Sequence, residues 1–327
     1  MIRNRKRLTG SLAILVLAAA ALWLGLARWS GPKEADIVVI IKSTNASLDF
    51  WQVVVDGVHD AAKEFKANVQ VRGPAKETEV DEQIAILEKT IEERPDAIVL
   101  AASDYVRLAP AAEKARKNGI KLLILDSGIR SEAPQSIVAT DNVKAGVEAG
   151  NAMLGQIEGP AKIAIVSYVT SAGSLMDREK GVRSVLEGKP NITLLETIDA
   201  GGDNERAYEK TKELLLREPD LYGIVGLNEP TSVGAGRAVK DLGLKGKVKL
   251  IGFDSSIPEI KLLDEGVMQA TVIQRPFQMG YLSVKTALEA IRGKKVPAMI
   301  DTSSLLITKN NMYEEENQKL LFPFVGK

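Results

Sequence analysis

Residues 224–239 read IVGLNEPTSVGAGRAV, residues 250–256 read LIGFDSS, and residues 270–276 read ATVIQRP. In each segment an apolar, β-branched run ends in one or two polar residues, and a helical pattern follows. The span 224–274 therefore reads as two βα units and the start of a third. Asn228, Asp254 and Gln274 fall at or just past the carboxyl ends of buried strands. In an open α/β sheet that edge is where ligands bind, because its loops can be polar while the sheet stays packed. Each residue also has a plainer explanation: Asn228 and Asp254 as helix caps, Gln274 as a loop amide before Pro276. Three convergent polar groups from three successive strands nevertheless match the few, placed polar groups of a small-molecule pocket.

Working outward, the same alternation fills the chain. Expected strands lie at 36–42, 69–72, 97–101, 121–125 and 137–139, with helices at 50–66, 77–93 and 106–118 between them. Continuous apolar strands such as DIVVIIK belong to buried parallel sheets. From residue 142 the series restarts with helices at 142–156, 175–186, 204–217, 231–242, 257–264 and 277–292. Strands alternate with them at 162–166, 192–198, 222–225, 249–251 and 270–273. The tail adds one extended stretch at 304–308 and an irregular end. Two complete runs of βα units imply an α/β fold of two doubly wound parallel-sheet lobes, dividing near Thr140 and Asp141.

Composition narrows the function. The 327-residue chain carries 43 basic and 43 acidic residues, so no net field favours nucleic acid. It has no cysteine and one histidine, His59, on an amphipathic helix, which removes thiolate metal sites, disulfides and histidine-based triads. No GxGxxG follows the first strand, and the VGAG of residues 233–236 falls inside a helix. No Walker lysine, GxSxG or HExxH occurs. The amino end differs: Arg3, Arg5, Lys6 and Arg7 precede an uncharged run over residues 8–27. About 20 such residues can span a bilayer. Residues 1–30 are thus expected to be a signal peptide cut after the small-x-small Gly25-Leu26-Ala27, or an anchor with Trp23 and Trp29 at the outer interface. Either places the body outside the cytoplasm.

Several motifs, taken in order, resemble the ribose-binding-protein-like (type 1) periplasmic sugar-binding proteins of ABC transporters. They are LDFW with VVVDGVHDAAKEF, LLILDSG, VATDNVKAG, DREKGV, GLNEPTSVGAGRAV, IGFDSS and VIQRPFQMGY. The resemblance covers roughly residues 36–308. It implies that Phe50 and Trp51 cover the apolar face of a sugar ring, that Asp126 accepts bonds from hydroxyls, and that Arg178 donates to ring or hydroxyl oxygens. Asn228, Asp254 and Gln274 match the family's amide and acid ligands, Phe253 its neighbouring aromatic, and Thr140 lies at the first crossing between lobes. It also implies three hinge segments, near 140, 274–275 and 300–301. One lobe would then hold 36–140 with 275–300, and the other 141–274 with 301–327. The residues themselves leave alternatives: Trp51 as core, Asp126 in a turn with Gly128, Arg178 as a solvated helix residue, Thr140-Asp141 as an N-cap.

Three positions depart from the ribose binders. Ser127 stands where they place an arginine, Leu48 where they place an asparagine, and Asp203 or Asn204 where the second lobe supplies an aromatic. The resemblance therefore implies the fold and the mode of binding rather than ribose itself. The expected function is capture of a small sugar or polyol by a monomer and delivery to an ABC permease, without cofactor, metal or nucleic acid. A membrane-anchored sensor read by a receptor or histidine kinase is the alternative. An enzyme is not expected, since the candidate residues include no activated nucleophile, metal set or cofactor loop. Repressors that share the two-lobed body carry a DNA-binding segment where this chain carries an apolar one.

Overall fold

The strand Asp36–Ile40 (β1) is apolar on both faces, and so are Ala97–Leu100 (β3) and Lys121–Leu125 (β4). In the computed structural model, which describes residues 34–45 and 49–322, these strands form the centre of a six-stranded sheet. Asn68–Arg72 (β2) flanks β1, while Ser136–Ala139 (β5) and Met299–Asp301 (β12) extend the other edge. All pairings are parallel. Helices Val80–Glu93 (α2) and Ala109–Lys117 (α3) cover one face, where Leu87, Ile91 and Ala112 pack on Val38, Ile98 and Leu122. Helix Asp49–Phe65 (α1) packs instead on Pro276–Ile291 (α9), which lies against β3, β4 and β5. Gly57 and Gly280 permit that crossing. A Cβ on either would come within 2.1 Å of a backbone oxygen of the facing helix.

The second sheet is ordered Leu305–Thr308 (β13), Ala270–Ile273 (β11), Lys249–Phe253 (β10), Leu221–Gly226 (β9), Ala161–Ser167 (β6) and Ile192–Leu194 (β7). Successive residues of β6 face opposite ways, as a strand's period of two requires. Ile163 and Ile165 pack under helices Asn142–Leu154 (α4) and Gly173–Leu186 (α5). Ala164 and Val166 pack under Asn204–Arg217 (α6), Glu229–Asp241 (α7) and Ile257–Asp264 (α8). The chain crosses between the two sheets three times, after β5, after β11 and after β12. The molecule is thus two doubly wound lobes on a three-segment hinge.

Two local expectations need correction. The strand expected at 192–198 is two pieces, β7 and Ile198–Asp199 (β8), both paired with β6. Ile163 faces Leu194 and Val166 faces Ile198, so one residue of the second strand is extra and bulges. There Thr197 turns its hydroxyl to the Glu179 carboxylate and accepts from the Arg183 guanidinium. The tail regarded as irregular holds β12 and a helix, Glu315–Leu321 (α10), held by burial of Leu321. Both pieces are too short to show a period. The expected leader in residues 1–30 lies outside the described residues, among which no helix is long and apolar enough to cross a membrane.

Candidate functional site

Both sheets turn their carboxyl edges toward one cleft. Its walls include Lys42, Phe50, Trp51, Glu77 and Asp126 from the first lobe, and Ser174, Arg178, Asn228, Glu229 and Asp254 from the second, with Gln274 at a crossing. The strand orders reverse at β1/β3 and at β6/β9, which is where doubly wound sheets leave room for a ligand.

Asp126 and Asp254 end β4 and β10 in the same way. Each follows its strand directly and takes a left-handed backbone, with φ of 63° and 75°. Aspartate tolerates that region better than most residues. The local sequences LDS and FDS thus give the two lobes one shared device that tips a carboxylate into the cleft. The Asp126 carboxylate lies 2.7 Å from the Lys42 ammonium, both nearly inaccessible to solvent. Lys42 also donates to Ser174 Oγ across the cleft at 3.3 Å.

Asp254 is bonded on both oxygens. Oδ2 accepts the Glu229 amide at 3.0 Å, and Oδ1 accepts Gln274 Nε2 at 2.5 Å. Gln274 in turn accepts from the Thr140 hydroxyl at 3.0 Å, tying the second crossing to the first. Arg178 is 3 % exposed, so it is not a solvated helix residue. Its Nε donates to Asn142 Oδ1 and its Nη1 to the Leu227 carbonyl, each at 2.8 Å. The guanidinium carbon stands 4.7 Å from the Phe253 ring centroid, and Nη1 lies 3.9 Å from Asp254 Oδ2. Close approach of α4 and α5 sets this position: a Cβ on Gly146 would lie 2.2 Å from the Arg178 carbonyl oxygen.

Phe50 and Trp51 open α1 and meet edge to face, centroids 5.1 Å apart. The Trp51 indole N–H donates to Glu77 Oε1 at 2.8 Å, so the ring is both packed and aimed. Asn228 caps α7, its backbone N–H donating to Thr231 Oγ1 while its side-chain oxygen accepts from that hydroxyl. Its capping and cleft-lining positions coexist. Asp141, not Thr140, caps α4, accepting the Lys144 amide at 3.0 Å.

Seven of the nine expected residues therefore line the cleft: Phe50, Trp51, Asp126, Arg178, Asn228, Asp254 and Gln274. Phe253 and Thr140 stand behind the wall, Phe253 beneath Arg178 and Thr140 beneath Gln274. Lys42, Glu77, Ser174 and Glu229 line it without having been anticipated. Lys42 had a signal, a lone cation closing the apolar run DIVVIIK at the ligand edge. Glu77 had none: the expected helix 77–93 took it as a first-turn residue, whereas α2 starts at Val80 and leaves it in the preceding loop.

Burial holds the Glu77 carboxyl above its ordinary value, with the Lys42 ammonium pulling the other way. Glu229 is pushed up to about 8, first by burial and then by the carboxylates of Asp254 and Asp49. Buried Glu259 behind it is raised for the same leading reason, with Glu229 and Asp254 adding to it. The cleft thus combines the Asp126 and Asp254 carboxyls, the Lys42 and Arg178 donors and a Glu229 carboxyl whose raised value favours the protonated, donating form. Hydroxyls donate and accept at one oxygen, and this mixture suits them.

Residues 37–295 match the model of a family described as "Periplasmic binding protein domain". The chain is similar to the ribose import binding protein RbsB of Haemophilus influenzae, 28% identical over 90% of this chain and 99% of that one. It is also similar to a carbohydrate transporter solute-binding protein of Agrobacterium radiobacter solved with D-arabinose. That likeness has a TM-score of 0.84 at 31% identity and covers 89% of this chain and 100% of the other. An ABC transporter solute-binding protein of Agrobacterium vitis with bound D-fucose superposes with a TM-score of 0.83 at 35% identity, over 87% and 99%.

Proposed function

We propose that this chain, which belongs to the periplasmic binding protein domain family, captures a small sugar or polyol between its lobes outside the cytoplasm and delivers it to an ABC permease. The family is one of transporter binding proteins rather than enzymes. The single observation that carries the ligand class is the Arg178–Asp254–Gln274 network facing the Phe50–Trp51 pair across one cleft. Charged groups make the stronger bonds to hydroxyls. Aromatic faces cover the C–H side of a ring with large area at little entropy cost. The relatives solved with D-arabinose and D-fucose and named for ribose import support this class.

In this reading Asp126 and Asp254 accept from hydroxyls, Arg178 and Lys42 donate, Asn228 and Gln274 do either, and Phe50 and Trp51 cover the ring. Phe253 and Thr140 hold Arg178 and Gln274 in place. Residues 36–140 with 275–300 move as one body, and 141–274 with 301–327 as the other. Residues 1–30 export the monomer or tether it. Calorimetric titration of the purified protein with D-arabinose, D-fucose and D-ribose tests the ligand class. Saturable one-to-one binding of at least one is expected; no heat from these or from a wider set of pentoses, hexoses and polyols would refute the sugar reading.

A further inference from the structure

Beside the polar cleft lies a second cavity with a different lining. It shares Phe50, Asp254 and Gln274 with the cleft, so the two are contiguous. Beyond that border its walls are mainly apolar, with Val53 of α1, Ile257 of α8, Phe277 of α9 and Leu320 of α10, and carry Asp49, Ser255, Ser256 and Lys319 among them. Its volume is about 140 Å³, against about 40 Å³ for the polar cleft. Ile257 is 64 % exposed and Phe277 36 %, two of the more exposed large apolar side chains among the described residues.

These properties select an occupant. Against the Val53, Ile257, Phe277 and Leu320 side chains a hydroxyl gains no hydrogen bond, whereas an apolar group leaves water on contact with them. An apolar cavity of roughly 150 Å³ is known to take a benzene-sized guest. The cavity opens beside the polar cleft, where a sugar's own oxygens can be satisfied. We propose that it is a subsite for an apolar substituent on the bound sugar, so that the ligand class extends to aryl and branched alkyl glycosides. The inference rests on the sugar reading of the cleft and deepens it: the sugar is held by Arg178 and Asp254, and its aglycone passes Phe50 to lie against Ile257 and Phe277.

The test uses the full chain and paired probes. For each of D-arabinose, D-fucose and D-ribose, the free sugar and its methyl and phenyl glycosides in both anomers are titrated calorimetrically. For one anomer of a binding sugar, the phenyl glycoside should bind at least about tenfold tighter than the methyl glycoside, from the apolar area it buries. In the double variant Ile257→Ser/Phe277→Ser that gain should fall to about twofold or less, with methyl glycoside affinity unchanged. Both side chains are partly solvent-exposed, so each single variant is available if the double does not fold. A free sugar that binds while no phenyl glycoside binds tighter than its methyl partner would overturn the subsite and leave the cleft reading intact. A phenyl gain that persists in the variants would place the ring elsewhere and overturn it as well. Failure of every sugar and glycoside would remove the cleft reading, and the subsite with it.

Discussion

At Asp254 one carboxylate accepts from Gln274 and from the Glu229 amide while facing Arg178, so its removal takes the counter-charge from a buried guanidinium and leaves the Gln274 amide without its acceptor. Truncating one partner of such a buried pair costs about 2–5 kcal/mol of binding. Asp254→Ala and Arg178→Ala should each weaken sugar binding by about 30-fold or more, since 1.4 kcal/mol is about tenfold. Calorimetry on each variant reads this directly, and wild-type affinity in both would move the site. Glu229 gives a pH signature. Its pKa in the fold is about 8, above the ordinary 4.5. The stabilising contribution is full below the ordinary value and is lost as pH rises through about 8. The melting temperature of the ligand-free protein should therefore fall over that window, and Glu229→Gln should flatten the fall. An unchanged slope in the variant would contradict the assignment. Asn228, Asp254 and Gln274 were legible from sequence because each falls at or just past the end of an apolar strand. Glu77 and Glu229 were not, because a loop acid and a first-turn acid resemble ordinary solvated groups.

Among the elements, the crossing of α4 and α5 decides where Arg178 points. A methyl on Gly146 meets the Arg178 carbonyl oxygen, and one on Gly181 meets that of Val143 at 2.2 Å. Gly146→Ala must part the helices, which typically costs about 1–3 kcal/mol. It should lower the melting temperature and also weaken sugar binding, because the guanidinium moves with α5. Loss of stability with unchanged affinity would show that Arg178 does not depend on this crossing. Most elements were legible: helices at 204–217 and 257–264 and strands at 121–125 and 270–273 coincide with the structure. Their apolar periods are unambiguous and their ends are marked by Gly, Pro or Asp. The bulge between β7 and β8 was not legible, because register is set by the neighbouring strand and not by the bulged sequence itself. Nor was β12, a three-residue edge strand whose identity comes from pairing with β5.

On the scale of the whole molecule, the two-lobed topology followed from the alternation of strands and helices, whereas the meeting of the lobes did not. The Tyr105 amide donates to the Ser171 carbonyl at 2.9 Å and the Ser174 amide to Ser127 Oγ at 3.0 Å. These contacts join residues far apart in the chain and carry no local sequence signal. In the proposed reading, ligand bonds made by both lobes shift the population toward closure. The absence of cysteine makes that shift measurable without background. Val106 and Met176, each 44 % exposed on opposite lobes, can be replaced by Val106→Cys and Met176→Cys and spin-labelled. Pulsed electron-electron double resonance on the labelled pair, with and without a sugar that binds in calorimetry, tests the central claim. The account predicts a longer or broader distance distribution without sugar and a shorter, narrower one with it. A distribution indifferent to a sugar that demonstrably binds would contradict capture between the lobes.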